Sequence, residues 1–361
     1  MTRPLRAAAL LSGVLLLFCA CGKIAPTATP LPSPTVAVQY GVNPITAITP
    51  LAGGIPSVVE KVSPAVVGMA VTTTEQTEFG SQAVEGLGTG VFVDSRGYIL
   101  TNNHVTGNAE QIDVVLQDGT RVKGQTVWAD KALDLAVVKA EGGPYPAAEM
   151  GSSQNLKVGD AVVAIGTPLT LNFQHTVTSG IVSALRRTLK VPTDDGLSFM
   201  EELIQTDAPI NPGNSGGPLC DMAGRVVGIN TLKVTEAEGI GFAIPIEVAR
   251  PIVEMVEADG SYTTPYLGLY AIDAEIARYY GQTGISGGVL IIEADPEGPA
   301  YAAGLRKGDL ITHMDGNAVN TVLMLRQVIY SHKPGQAVRV RWERSAQTGD
   351  SDVTLTKKPV E

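Results

Sequence analysis

The sequence predicts a mainly β fold divided between two domains. Gly 40 and Pro 23 among 361 residues, with only 17% charged, imply many turns joining short strands rather than long helices. Apolar residues make up 44% of the chain, enough to fill real cores. Short apolar or alternating runs recur along much of its length, separated by turn residues such as Arg96-Gly97 and Asp118-Gly119. This composition excludes wholesale disorder and a multi-span membrane protein. The formal charge of −10 leaves no broad basic surface to hold phosphates, so nucleic acid is not an expected partner.

Residues 1–20 read as an export signal. Arg3 and Arg6 supply its positive end, and residues 7–18 form an apolar run that is short for a permanent membrane span. The run stops at Phe18-Cys19-Ala20-Cys21-Gly22, which resembles a bacterial lipoprotein box, where a cysteine preceded by small residues is lipidated and becomes the mature N-terminus. Cys21, preceded by Ala20, is the expected acceptor. Phe18 stands where such boxes usually carry Leu, so simple signal cleavage and an uncleaved anchor are the alternatives. One diacylated cysteine would tether the protein to a membrane surface without spanning it. Residues 21–56, rich in Pro, Thr and Ala and nearly free of charge, read as an extended tether. With Cys19 lost and Cys21 lipidated, Cys220 alone cannot close an intrachain disulfide, and it reads as a small buried apolar residue.

The first domain is expected over residues 57–257. Residues 57–62 read as a short helix that Pro64 ends before a strand over 65–71. Strands follow at Gly90-Val91-Phe92-Val93, Tyr98-Ile99-Leu100-Thr101, Ile112-Asp113-Val114-Val115-Leu116, Leu135-Ala136-Val137-Val138, Ala161-Val162-Val163-Ala164-Ile165 and Val226-Val227-Gly228-Ile229, the pattern of a barrel or sandwich. Residues 245–256 have helical spacing, with Ile246, Ala249, Ile252, Val253 and Val256 on one face. Residues 258–264 form a candidate linker, and 265–358 have the length of one small domain.

The segment Thr206-Asp207-Ala208-Pro209-Ile210-Asn211-Pro212-Gly213-Asn214-Ser215-Gly216-Gly217-Pro218-Leu219 is chemically the most informative. Glycines on both sides of a serine allow a tight turn that exposes the hydroxyl and aims successive amide N–H groups at one spot, where they could hold the oxyanion of an acyl intermediate. A hydroxyl is a poor nucleophile until a base removes its proton. Only His104, His175, His313 and His332 are available. His104 closes the strand-like Tyr98-Ile99-Leu100-Thr101-Asn102-Asn103, where a side chain can project into a cleft, although an isolated histidine is more often structural or on the surface. Asp134, in Ala132-Leu133-Asp134-Leu135-Ala136-Val137, is the acid candidate, since a carboxylate among apolar residues is costly to bury unpaired; alone it reads equally as a turn residue. The order His, Asp, Ser is that of the chymotrypsin-like triad.

The sequence resembles the high-temperature-requirement (HtrA, or Deg) family of trypsin-like proteases over residues 57–358. Besides the serine segment, the carriers are Gly86-Leu87-Gly88-Thr89-Gly90-Val91, the histidine segment, Asp134-Leu135-Ala136-Val137, Gly166-Thr167-Pro168, Thr176-Val177-Thr178-Ser179-Gly180-Ile181-Val182-Ser183 and Gly241-Phe242-Ala243-Ile244-Pro245. The resemblance implies a chymotrypsin-like double β-barrel with His104 as general base, Asp134 as its orienting partner and Ser215 as nucleophile. It places the oxyanion hole on the Gly213-Asn214-Ser215 turn, and Ile210 and Leu232 at the specificity pocket. No carboxylate stands at those two positions, so a Val or Ala side chain is expected there rather than Lys or Arg. Residues 185–199 resemble the family's regulatory loop, with Arg187 as the candidate coupling residue and a solvated charge as its bland reading.

The C-terminal residues resemble an α+β PDZ domain. Tyr266-Leu267-Gly268-Leu269 is similar to the carboxylate-binding loop of such domains, supported by Gly288-Val289-Leu290-Ile291, by residues 299–311 and by a helix around Val322, Leu325 and Ile329. Val322 and Leu325 would favour an apolar C-terminal residue in a bound peptide; a blocked groove in a packing domain is the alternative. The other histidines lack ligand spacing, and Gly86-Leu87-Gly88-Thr89-Gly90 lacks the lysine of a phosphate loop, so neither metal, ATP nor another cofactor is expected. By resemblance, the function is ATP-independent endoproteolysis of unfolded or damaged exported proteins by an extracytoplasmic, membrane-anchored homotrimer. A peptide-binding, chaperone-like lipoprotein with little turnover is the rival from another class, and an esterase with the same triad a third reading.

Overall fold

The computed structural model describes residues 54–359 apart from 78–79, 108, 168–175, 194–195, 212, 234–238, 283 and 346, and omits the side chains of 74–83, 192–198 and 232–238. The export signal, Cys21, nearly all of the tether and His175 lie outside the described residues.

Helix α1 (Ile55–Val62), with a proline in its first turn, buries Val58 and Val62, and Lys61 Nζ ties it to the Glu149 carboxylate and the Ala223 carbonyl, both at 3.0 Å. Six strands then close the first barrel: β1 (Val66–Thr77), β2 (Gly80–Phe92), β3 (Tyr98–Thr101), β4 (Gln111–Val115), β5 (Arg121–Asp130) and β6 (Leu135–Ala140), in the order β1-β2-β3-β6-β5-β4. The one-turn helix α2 (Asn103–Thr106) follows β3 directly. The second barrel takes β7 (Ala161–Gly166), β8 (Thr176–Thr193), β9 (Gly196–Thr206), β10 (Pro218–Asp221), β11 (Val226–Lys233) and β12 (Gly241–Pro245), in the order β10-β11-β12-β9-β8-β7. All ladders within both barrels are antiparallel. Closure removes free edges, and the apolar runs read from sequence become the interiors: Ile99, Leu100, Val137, Val163 and Ile229 are fully buried. Cys220 is buried in β10, and burial pushes its thiol far above the ordinary range, which makes it an inert packing group.

Helix α3 (Ile246–Asp259) buries the predicted Ile246, Ala249, Ile252, Val253 and Val256 and ends on Gly260 in the left-handed conformation. It reaches two residues into the stretch read as a linker. The C-terminal domain follows with β13 (Pro265–Tyr266), β14 (Leu269–Ile272), α4 (Ala274–Tyr279), β15 (Val289–Ala294), α5 (Pro299–Ala302), β16 (Leu310–Met314), β17 (Asn317–Ala318), α6 (Val322–Tyr330), β18 (Ala337–Arg344), β19 (Gln347–Thr354) and β20 (Thr356–Lys357). Its sheet runs β14-β15-β16-β18-β19, with β17 on β16, while β13 pairs β20. An aromatic chain fastens this domain to the first barrel: Trp128 on β5 meets Tyr262 at 5.8 Å, and Tyr262 meets Tyr330 at 6.4 Å. Trp128 Nε1 donates to Thr264 Oγ1 at 3.0 Å and the Tyr330 hydroxyl to Asp130 at 3.3 Å.

The described part of residues 185–199, read from sequence as a loop, belongs instead to the long paired strands β8 and β9. Leu189 and Val191 are half-buried while Lys190 between them is exposed, the period-two alternation of a paired strand.

Candidate active site

His104 lies on α2, immediately after the buried strand β3, and Asp134 lies in the turn from β5 to β6 of the same barrel. Asp134 holds φ 52°, a conformation uncommon outside glycine. Local bonds keep it there: Asn102 Nδ2 donates to its carbonyl at 2.8 Å, and the His104 amide donates to Oδ1 at 3.0 Å. His104 Nδ1 stands 2.8 Å from Oδ2 and 2.9 Å from Oδ1, while the Thr231 hydroxyl, from the second barrel, donates to Oδ2 at 2.6 Å. The carboxylate therefore engages three donor groups and holds the ring through Nδ1, leaving Nε2 for other partners.

Ser215 stands in the turn before β10, in the second barrel. Its hydroxyl donates to the Thr231 carbonyl at 3.1 Å rather than to the His104 ring. Thr231 on β11 thus touches both halves of the site, its hydroxyl on the acid and its carbonyl on the serine. His104, Asp134, Thr231 and Ser215 all line one cleft of about 790 Å3 between the barrels. A histidine oriented by a carboxylate, sharing a cleft with a serine hydroxyl, is the equipment for base-assisted nucleophilic attack.

The turn itself is held by close backbone approach. Gly216 has φ 82°, and a Cβ there would lie 2.2 Å from the Thr89 carbonyl oxygen; at Gly217 it would lie 2.2 Å from that of Ile165. Only glycine fits at either position. Thr89 on β2 fastens the loop from outside, its amide donating to the Ser215 carbonyl at 3.0 Å and its hydroxyl to the Gly213 carbonyl at 2.5 Å. The amides of Asn214, Gly216 and Gly217 are bonded to the carbonyls of Asn211, Asn230 and Asn214. Among the described residues, the amides of Gly213 and Ser215 have no partner. Asn214, grouped with them from the sequence, spends its amide on Asn211, and its buried side chain staples the turn: the Asn211 amide donates to Oδ1 and Nδ2 donates to the Pro209 carbonyl, both at 3.0 Å. It is a brace, not a free donor.

Ile210 is buried and lines the cleft beside Gly213. Leu232 follows Thr231 on β11, with its side chain outside the described residues. Arg187 does not line the cleft; it is exposed, and its Nε donates to Gln205 at 3.1 Å across the hairpin. The hairpin reaches the cleft through Val191 and Met200 instead. Thr89, Met200 and Thr231 were not singled out by the sequence, because their partners are distant along the chain.

In the C-terminal domain, Gly268 takes φ 76° and the amides of Leu267 and Gly268 have no partner among the described residues. Tyr266 donates its hydroxyl to Asp295 at 3.0 Å, and Leu269 opens β14 at the sheet edge. Val322 and Leu325 are buried on α6, and the Val322 amide donates to Asp273 at 3.3 Å. His332 is committed to structure, its Nε2 facing Asp315 at 3.0 Å.

Residues 88–229 match the trypsin-like peptidase domain and residues 256–355 the PDZ domain. Over 328 residues the chain is 38% identical to the serine protease Do-like HtrA of Bacillus subtilis, covering 84% of this chain and 73% of that protein. It is 36% identical over 343 residues to a probable periplasmic serine endoprotease, DegP-like, of Halomonas elongata, covering 84% and 70%. Among solved structures it resembles the HtrA-type protease AlgW with decapeptide, at TM-score 0.64 and 32% identity over 85% of this chain and 99% of that one. The serine endoprotease from Yersinia pestis aligns at TM-score 0.58 and 32% identity, over 84% and 98%.

Proposed function

The chain belongs to the HtrA family of trypsin-like serine endoproteases with a PDZ domain, and from that premise we propose that Ser215 is its nucleophile, His104 the general base and Asp134 the group that orients the base. The observation that carries this reading is the His104–Asp134 pair at 2.8 Å facing the same cleft as Ser215. In the resting arrangement the hydroxyl rests on Thr231, so rotation about the serine χ1 brings Oγ to His104 Nε2. His104 then takes the proton as Oγ attacks a peptide carbonyl, and returns it to the leaving amine. The unpartnered amides of Gly213 and Ser215 receive the oxyanion. Water attacks the acyl-enzyme, again with His104 as base.

Ile210 gives the cleft an apolar wall beside Gly213, which suits a Val- or Ala-sized side chain, with Leu232 assigned to the same pocket by the family resemblance alone, and the cleft admits a substrate in extended form. Unfolded or damaged exported polypeptides meet that requirement. The Leu267 and Gly268 amides and the β14 edge suit a peptide C-terminus, which the PDZ domain would recruit or read. Relatives named periplasmic support an extracytoplasmic location. Anchoring through Cys21 and assembly as a homotrimer complete the proposal. Binding without turnover is the weaker reading, since the relatives carry endoprotease names and His104, Asp134 and Ser215 line one cleft.

A fluorophosphonate probe added to the full chain tests the assignment: mass spectrometry is expected to place the adduct on Ser215, and labelling at another serine would overturn it. Thr231→Val removes the 2.6 Å hydroxyl donor to Asp134 while leaving the carbonyl that holds Ser215. A hydrogen bond to a charged group contributes about 1.5–3 kcal/mol, so kcat on a fluorogenic peptide is expected to fall about ten- to a hundredfold with KM little changed.

A further inference from the structure

The β8–β9 hairpin carries a group that the cleft does not use. Its register pairs Arg187 with Leu203 and Leu189 with Met200, so Glu201 and Glu202 together oppose Thr188. This is a β-bulge, with Glu202 at φ 57° as its left-handed residue. The bulge breaks the alternation of the strand and sets Glu201 in the contact between hairpin and PDZ domain. The Thr188 carbonyl accepts the Tyr279 hydroxyl of α4 at 3.0 Å, and Phe199 packs on Tyr279 and Tyr280 at 5.5 and 5.8 Å.

Glu201 is 9% exposed, and among the described residues neither of its carboxylate oxygens has a hydrogen-bond partner. Four charged groups face it: Arg326 from α6, Asp273 and Glu275 from the start of α4, and Glu202 beside it; the Tyr270 phenol of β14 also lies close enough to feel its charge. The other walls, including Leu133 before β6, Ile244 of β12, Val248 of α3 and Leu323 of α6, are apolar. One cation against three carboxylates, at a buried carboxyl with apolar walls, favours the neutral acid. Burial above all pushes the Glu201 carboxyl from 4.5 up to about 8, with Arg326 pulling the other way.

We propose that Glu201 is a proton latch between the protease hairpin and the PDZ domain: docking holds the carboxyl neutral, and loss of its proton releases α4 and α6 from the hairpin. Below pH 4.5 the acid is neutral in both the docked and the released state, and docking is at full strength. Between 4.5 and about 8 the docked state keeps a proton that the released state gives up, so docking weakens by about tenfold per pH unit. Above about 8 both states are ionised and the dependence levels off. Release frees the strand that carries Met200, which lines the catalytic cleft, so the latch reaches the cleft through a neighbouring residue. The inference does not rest on the catalytic assignments.

Hydrogen exchange of the full chain, carried as Ser215→Ala to prevent self-digestion and corrected for the intrinsic pH dependence of exchange, reads docking through α4 and residues 199–203. Protection there is expected to fall by up to about tenfold per pH unit from pH 5 to 8. Glu201→Gln, which stays neutral, is expected to hold its low-pH protection throughout, and Arg326→Gln to move the midpoint to higher pH. A flat profile in the parent, or the same fall in the Glu201→Gln variant, overturns the latch. An unmoved midpoint on loss of Arg326 overturns it as well, because contact without titration leaves the profile where it was.

Discussion

Asp134→Asn is expected to lower kcat about 10⁴-fold on a peptide substrate while changing KM little. The carboxylate accepts from His104 Nδ1, from the His104 amide and from Thr231 Oγ1. An amide nitrogen at the Oδ1 position would face the His104 amide, and at the Oδ2 position the Thr231 hydroxyl; in both it also meets Nδ1. An amide N–H set toward Nδ1 is best met by an unprotonated Nδ1, which puts the ring proton on Nε2, the atom that must take the proton from Ser215. The imidazole loses the partner that fixes its tautomer, and the imidazolium formed during attack loses the negative charge beside it. Steady-state kinetics with unchanged thermal unfolding would identify the loss as chemical. A fall of less than tenfold would show that the ring is held and stabilised by something other than Asp134.

The parts of this molecule legible in its sequence are those whose cause is local. The glycines around Ser215 announce a turn because no other residue could take the conformation or the spacing of that backbone. Ile246, Ala249, Ile252, Val253 and Val256 announce α3 by their period alone, and all five are buried. His104 stood out as the candidate base because so few histidines compete with it and because a strand leads directly to it. What escaped is non-local. Thr231 reaches Asp134 across 97 positions of chain, and the Thr89 hydroxyl reaches Gly213 across 124. Nothing in the neighbourhood of either threonine records that distant partner.

The hairpin of β8 and β9 shows the same limit differently. Likeness to the family's regulatory loop made residues 185–199 read as a loop, with Arg187 as the candidate coupling residue. Pairing along the strands instead satisfies the backbone, turns Arg187 to Gln205 at the surface and sends Met200 to the cleft. Glu201 and Glu202 look alike in sequence; the bulge alone separates a buried carboxyl from its partly exposed neighbour.

The central claim is that Ser215 performs the attack on the peptide bond, and casein digestion by matched preparations of the parent chain and Ser215→Ala tests it most directly. Removing the nucleophile of such a triad lowers turnover by about 10⁶-fold, so the variant is expected to leave casein intact over times in which the parent degrades it. Equal digestion by the two proteins would contradict the account.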